Sequence, residues 1–135
     1  MKKLRLLCIL FLPVFILASC TAESEPEAAE ESEYIRIDAD EAKEMMENED
    51  VIILDVRTEA EFEEEHIEGA ILIPDYEIEE LAEEKLPDKE ATILVYCRTG
   101  RRSELASREL IEMGYTNVYD FGGIVDWDYE TTSGQ

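Results

Sequence analysis

The sequence predicts an α/β domain, a mainly parallel sheet of about five strands with helices on both faces. Three observations carry this. Val51–Val56 (VIILDV) and Ala91–Tyr96 (ATILVY) are continuous apolar runs of strand length, as in strands buried on both faces of a parallel sheet. Segments with helical spacing separate the β-rich runs, and that alternation implies right-handed β-α-β crossovers. The 135 residues, 45% of them hydrophobic, suffice for one core and not for two.

Tyr34–Ile37 reads as a first short strand, and Asp38 or Asp40 can cap the helix carrying Ala42, Met45 and Met46. Val51–Val56 follows, then a short acidic helix over Glu59–Glu65. Ala70–Pro74 is a third strand, and Ile78–Lys85 a helix with Leu81 inward. After Ala91–Tyr96, Ser103–Met113 is helical with Ala106, Leu110 and Met113 on one face. Gly114 closes that helix, and Asn117–Phe121 is the last strand. The domain therefore spans 34–131, with 132–135 as a C-terminal tail. No internal repeat is evident.

The first nineteen residues have the layout of an export signal: Lys2, Lys3 and Arg5, then an apolar stretch from Leu6 to Leu17, then small residues. A membrane-spanning anchor is the alternative, but the run is shorter than the roughly 20 residues a bilayer requires. Leu17-Ala18-Ser19-Cys20 resembles the lipobox of bacterial lipoproteins. The resemblance implies cleavage before Cys20, a diacylglyceryl group on its sulfur, and an extracytoplasmic domain lipid-anchored to a bacterial membrane. Residues 20–33 then form the lipidated cysteine and a tether. Thr21–Glu33 (TAESEPEAAEESE) carries six glutamates and no large apolar side chain, the composition of a disordered, self-repelling segment.

The chain has 12 basic and 35 acidic residues. Loss of residues 1–19 removes three basic and no acidic residues, so nine against 35 leaves a net charge of −26. Nucleic acid would repel such a chain, and membrane attachment would depend on acyl chains rather than a basic patch. Cleavage also removes Cys8, and Cys20 becomes a thioether, so Cys97 remains as the one free thiol. An internal disulfide is thereby excluded, and one cysteine with one histidine cannot close a zinc site.

In this acidic chain the stretch Ile93–Ser103 (ILVYCRTGRRS) places three arginines within six residues of a cysteine, at the carboxyl end of a predicted strand. Ligands of parallel α/β sheets bind at that end. A buried cysteine that merely finishes a strand is the bland reading. Against it, Arg98-Thr99-Gly100-Arg101-Arg102-Ser103 holds no apolar side chain and turns through Gly100 into a helix expected to start near Ser103. Backbone N–H groups, a helix N-terminus and cationic neighbours are the conditions that lower a thiol pKa, so Cys97 is expected as a thiolate nucleophile. The same cradle suits an anionic substrate.

Cys97–Ser103 (CRTGRRS) resembles the active loop of single-domain rhodaneses, and more distantly that of cell-cycle phosphatases and arsenate reductases of the same fold. A phosphatase loop has five residues between cysteine and arginine and would require arginine at 103. Ser103 stands there and the arginine comes at Arg102, which is the shorter sulfurtransferase form. Asp55, Arg57, Glu61, Phe62, His66, Ile67, Gly69 and Ala70 fall on the family's first block, with Glu65 in place of its usual glycine. Gly122, Gly123 and Trp127 match its closing motif.

The resemblance implies a sulfurtransferase that needs no cofactor. Cys97 takes a sulfane sulfur from thiosulfate or a persulfide and passes it to a thiol or cyanide. Main-chain N–H groups of Arg98, Thr99, Gly100, Arg101, Arg102 and Ser103 hold the transferred sulfur, and Arg98, Arg101 or Arg102 the donor's oxygens. Arg102 is the strongest candidate for a structural and electrostatic part in the loop. Asp55 and Arg57 are read as an ion pair near the site, His66 as structural, Trp127 as packing the sheet edge or pocket rim, and the glutamate-rich faces as solvated surface. A non-enzymatic persulfide carrier or sensing module at a membrane is the alternative function, and phosphatase or arsenate-reductase chemistry a further one, disfavoured by Ser103. With no second cysteine, an external thiol acceptor or reductant is required.

Overall fold

The computed structural model describes residues 32–135. The export signal, Cys20 and all but the last two residues of the acidic tether lie outside the described residues. Five strands alternate with four α-helices: β1 (Ile35–Arg36), α1 (Ala39–Asn48), β2 (Ile52–Asp55), α2 (Glu59–Glu64), β3 (Ile71–Leu72), α3 (Ile78–Lys85), β4 (Thr92–Cys97), α4 (Arg101–Glu112) and β5 (Asn117–Gly123). Short 3₁₀ turns at Asp75–Glu77 and Ile124–Asp126 follow β3 and β5. All strand pairs are parallel, in the order β1-β5-β4-β2-β3. The fold is the expected α/β sheet.

Successive side chains of a strand face opposite sides of the sheet, and β4 divides the core on that basis. Ile93, Val95 and Cys97 meet Leu54, Val56 and Ile73 beneath Ile78 and Ala82 of α3 and Ala106 and Leu110 of α4. Leu94 and Tyr96 face Ile37, Ala42, Ile67, Phe121 and Trp127 on the other side. With Ile93, Leu94 and Val95 fully buried, truncating Ile93 or Leu94 to alanine costs about 2–5 kcal/mol. β4 is the rigid centre that presents Cys97.

Local chemistry sets the element boundaries. Of the two candidate caps, Asp38 serves, its carboxylate accepting from the Glu41 N–H at 2.8 Å. Thr58 and Glu61 form a reciprocal capping box on α2. In α3 the buried residues are Ile78 and Ala82, while Leu81 packs half-buried at the edge. β1 and β3 are two residues each and stand at the sheet edges, where short strands limit unwanted pairing.

The active-loop helix begins at Arg101, two residues before its expected start at Ser103. Gly100, at φ +105°, turns the chain within one residue, so no further loop is required. β5 continues past Phe121 to Gly123, because a register shift between Val95 and Cys97 brings Cys97 opposite Gly123. The C-terminal tail is not free: Thr132 pairs with His66 through two backbone hydrogen bonds of 2.8 and 2.9 Å, and the Gly134 N–H reaches Glu63 O at 2.8 Å.

Candidate active site

Cys97 ends β4 and is only 1% exposed. The Gly100 N–H donates to its Sγ at 3.0 Å. Ser103 Oγ stands 3.6 Å from the same sulfur and within reach of two carbonyls, Gly100 O at 3.0 Å and Gly122 O at 3.2 Å. A hydroxyl has one proton and two lone pairs, so Ser103 can serve one carbonyl while accepting from a Cys97 thiol. A buried side chain thus ties the start of the loop to its end and to β5.

The glycines of β5 have a steric reason. A methyl on Gly123 would run into the backbone of Arg98 and Thr99. Beyond it, the Val125 N–H donates to Arg98 O at 3.2 Å. The two backbones therefore lie against each other with no room for a side chain, and the FGG motif is what lets the cysteine loop lie flat on β5.

The three arginines separate into two kinds. Arg98 and Arg101 are exposed and form no salt bridge among the described residues. Arg102 is held by Glu61 of α2 in a two-pronged pair, Nη1 to Oε2 at 2.8 Å and Nη2 to Oε1 at 2.9 Å. Hydrogen bonding to Arg102, reinforced by the Thr58 N–H, lowers the Glu61 carboxyl to about 2, and the same bond raises Arg102 above its ordinary value. Arg102 therefore anchors the loop to α2, while Arg98 and Arg101 stay available to a solute. Glu61 is an exception to the reading of the glutamate-rich faces as solvated surface.

Asp55 is fully buried and Arg57 4% exposed; the guanidinium meets the carboxylate at 2.7 Å and the Arg57 N–H adds a bond at 2.9 Å. This is the expected structural ion pair. His66 stacks on Phe62 with ring centroids 3.7 Å apart, and its Nδ1 lies 2.7 Å from Phe62 O. Trp127 packs between Phe121 and Tyr129 in the second core.

A cavity of about 220 Å³ flanks the loop, lined by Arg57, Glu61, Glu64, Glu65, Arg98, Ile124 and Val125. A larger hollow of about 840 Å³, lined by Lys43, Met46, Trp127 and Tyr129 among others, includes no loop residue. The smaller one touches the loop through Arg98, which forms no salt bridge among the described residues. Among the described residues no cluster of His, Cys, Asp and Glu could hold a metal ion, and no helix is long and apolar enough to cross a membrane.

A model of the rhodanese-like domain family matches residues 38–130. The chain belongs to the rhodanese family. Thiosulfate sulfurtransferase PspE of Escherichia coli (strain K12) is 45% identical over 73 residues, covering 54% of this chain and 70% of the relative. Thiosulfate sulfurtransferase GlpE of Coxiella burnetii is 37% identical over 95 residues, 70% of this chain and 87% of the relative. A solved structure described as a rhodanese with anions from E. coli matches at TM-score 0.60 and 40% identity, over 63% of this chain and 100% of that one. This rhodanese is thereby a member of the sulfurtransferase family.

Sequence reasoning missed three polar residues of the rhodanese site. Glu61 lay on the family pattern with no stated partner, and its three-residue spacing from Thr58 was a visible capping signal. Arg36 and Asp120, joined at 3.0 Å, gave no local signal because they meet only across the β1–β5 ladder.

Proposed function

We propose that this rhodanese moves a sulfane sulfur from thiosulfate or a persulfide donor to a thiol or cyanide, through a persulfide on Cys97. The observation that carries the reading is the Gly100 N–H aimed at Cys97 Sγ from 3.0 Å, in a loop that enters α4 directly.

In the first half-reaction the Cys97 thiolate attacks the outer sulfur of thiosulfate. The sulfur–sulfur bond breaks, its electron pair leaves on sulfite, and a persulfide anion remains on Cys97. In the second, an acceptor thiolate attacks that outer sulfur and the bonding pair returns to Cys97, releasing the acceptor persulfide; cyanide yields thiocyanate. Each step is a two-electron displacement at sulfur, and the cycle is ping-pong. Amides of the loop stabilise the developing charge on the transferred sulfur. Arg98 and Arg101, both exposed, meet the donor's oxygens, and Arg102 fixes the frame. With Cys8 cleaved away and Cys20 acylated, as the export signal and lipobox imply, Cys97 is the one free thiol and the acceptor is external.

The export signal and Cys20 support placement of the domain outside the cytoplasm on a lipid anchor. A Cys20→Ser variant of the full chain should move from the membrane fraction to the soluble fraction; continued membrane retention overturns that placement.

The function is tested by thiocyanate formation from thiosulfate and cyanide. Parallel double-reciprocal plots are expected, with no product from Cys97→Ser. Turnover that survives Cys97→Ser, or hydrolysis of an aryl phosphate in place of sulfur transfer, refutes the reading. Sulfur loading without release to any small acceptor would instead indicate a carrier.

A further inference from the structure

The cysteine loop is held from outside by a pair that belongs to none of the motifs. Asp120 of β5 is fully buried and accepts from the Tyr34 hydroxyl at 2.6 Å, Arg36 Nη1 at 3.0 Å and the Gly122 N–H at 2.9 Å. The parallel register sets Arg36 of β1 directly opposite it. From that anchor the Arg36 guanidinium extends over the loop. A methyl on Gly100 would stand 3.2 Å from Arg36 Nη2, and one on Gly122 would collide with the same nitrogen.

Arg36 therefore packs on the two glycines whose carbonyls Ser103 joins. One of them, Gly100, supplies the amide on the sulfur. Half of the Arg36 side chain is exposed, 47%, yet a buried carboxylate fixes its direction. An ordinary surface arginine would have no such constraint.

We infer that Arg36, held by Asp120, is a positioning residue for Cys97: it closes the seam between Gly100 and Gly122 so that the Gly100 amide stays on the sulfur. The charged and titratable groups on the loop and on the elements packed against it are then Arg98, Arg101 and Arg102 of the loop and α4, Glu61 of α2 beside Arg102, the Asp55–Arg57 pair at the end of β2, and Arg36, Asp120 and Tyr34 from β1 and β5. Asp75 of the turn after β3 also acts on Arg102. Without Arg36 the Gly100 amide loses its support and the Asp120 carboxylate loses its cation. Both changes disfavour a thiolate.

The inference gains its role in sulfur transfer from the proposed function, but its test requires no sulfur donor. Alkylation of Cys97 by iodoacetamide is followed across pH in the full chain, with peptide mass spectrometry isolating Cys97 from Cys8 and Cys20. Arg36→Met should move the midpoint of the rate profile upward and slow alkylation below that midpoint by about 5-fold, since a full unit would be tenfold. Arg36→Lys keeps a charge but cannot span both glycines, and should lie between.

The double variant Arg36→Met/Asp120→Asn leaves no orphaned carboxylate and decides the matter should Arg36→Met fail to fold; it too should alkylate slowly. Met45→Ala, a half-buried position on α1, should leave the profile unchanged. A native midpoint and rate in both Arg36→Met and the double variant overturn the inference. Native protein that takes no sulfur from any donor while still responding to Arg36→Met would defeat the proposed function and leave the positioning role standing.

Discussion

Glu61→Gln isolates the anchor of the active loop. Glutamine keeps an oxygen for the Thr58 N–H, so the α2 cap survives, but its amide cannot take both prongs of Arg102. The Glu61 carboxyl is lowered from 4.5 to about 2 in the folded chain. At 1.36 kcal/mol per unit the full shift corresponds to about 3 kcal/mol. With the two side chains 26% and 30% exposed, solvent screening reduces the expected loss to about 1–2 kcal/mol. Because the folded value lies below the unfolded one, this stability is complete above about 4.5 and is lost as pH falls through about 2.

Urea unfolding of native protein and Glu61→Gln at a series of pH values gives the measurement. The gap should be about 1–2 kcal/mol at pH 7, shrink below pH about 4.5 and be gone near pH 2. A gap of constant size across that window, or none at pH 7, would show that the pair does not hold the loop to α2.

Gly123→Ala forces a methyl into the Arg98 and Thr99 backbone, so sulfur loading should fall at least tenfold with a loss of about 2–4 kcal/mol in denaturant midpoint analysis; native loading would mean β5 does not press on the loop. Gly100→Ala places a side chain at φ +105° and should cost about 1–2 kcal/mol with slower Cys97 alkylation; unchanged stability would contradict the assigned turn. Turnover should depend only modestly on ionic strength, because a strongly acidic domain repels a dianion at long range while Arg98 and Arg101 attract it nearby. A steep fall with added salt would indicate long-range attraction instead.

The elements that were legible in the sequence are those whose signals are local. Continuous apolar runs announced β2 and β4, and an Asp before a 3.6-residue pattern announced α1. CRTGRRS marks the loop through its own residues. The boundary at Arg101 was missed because Gly100 does the work of a loop in one residue, and a left-handed glycine looks in sequence like any other. Glu61–Arg102 spans 41 residues and Arg36–Asp120 spans 84. Such pairs are set by which strands and helices become neighbours: the spacing from Thr58 marks Glu61 as a cap but does not point to Arg102, and nothing local joins Asp120 to Arg36. Asp55 and Arg57 were readable as a pair because they are two residues apart.

The most direct test of the central claim is the intact mass of the protein after incubation with thiosulfate and removal of excess donor. The account predicts a gain of one sulfur atom, reversed by cyanide or a thiol and absent in Cys97→Ser. An unchanged mass with thiosulfate and with persulfide donors, or an equal gain in Cys97→Ser, would contradict it.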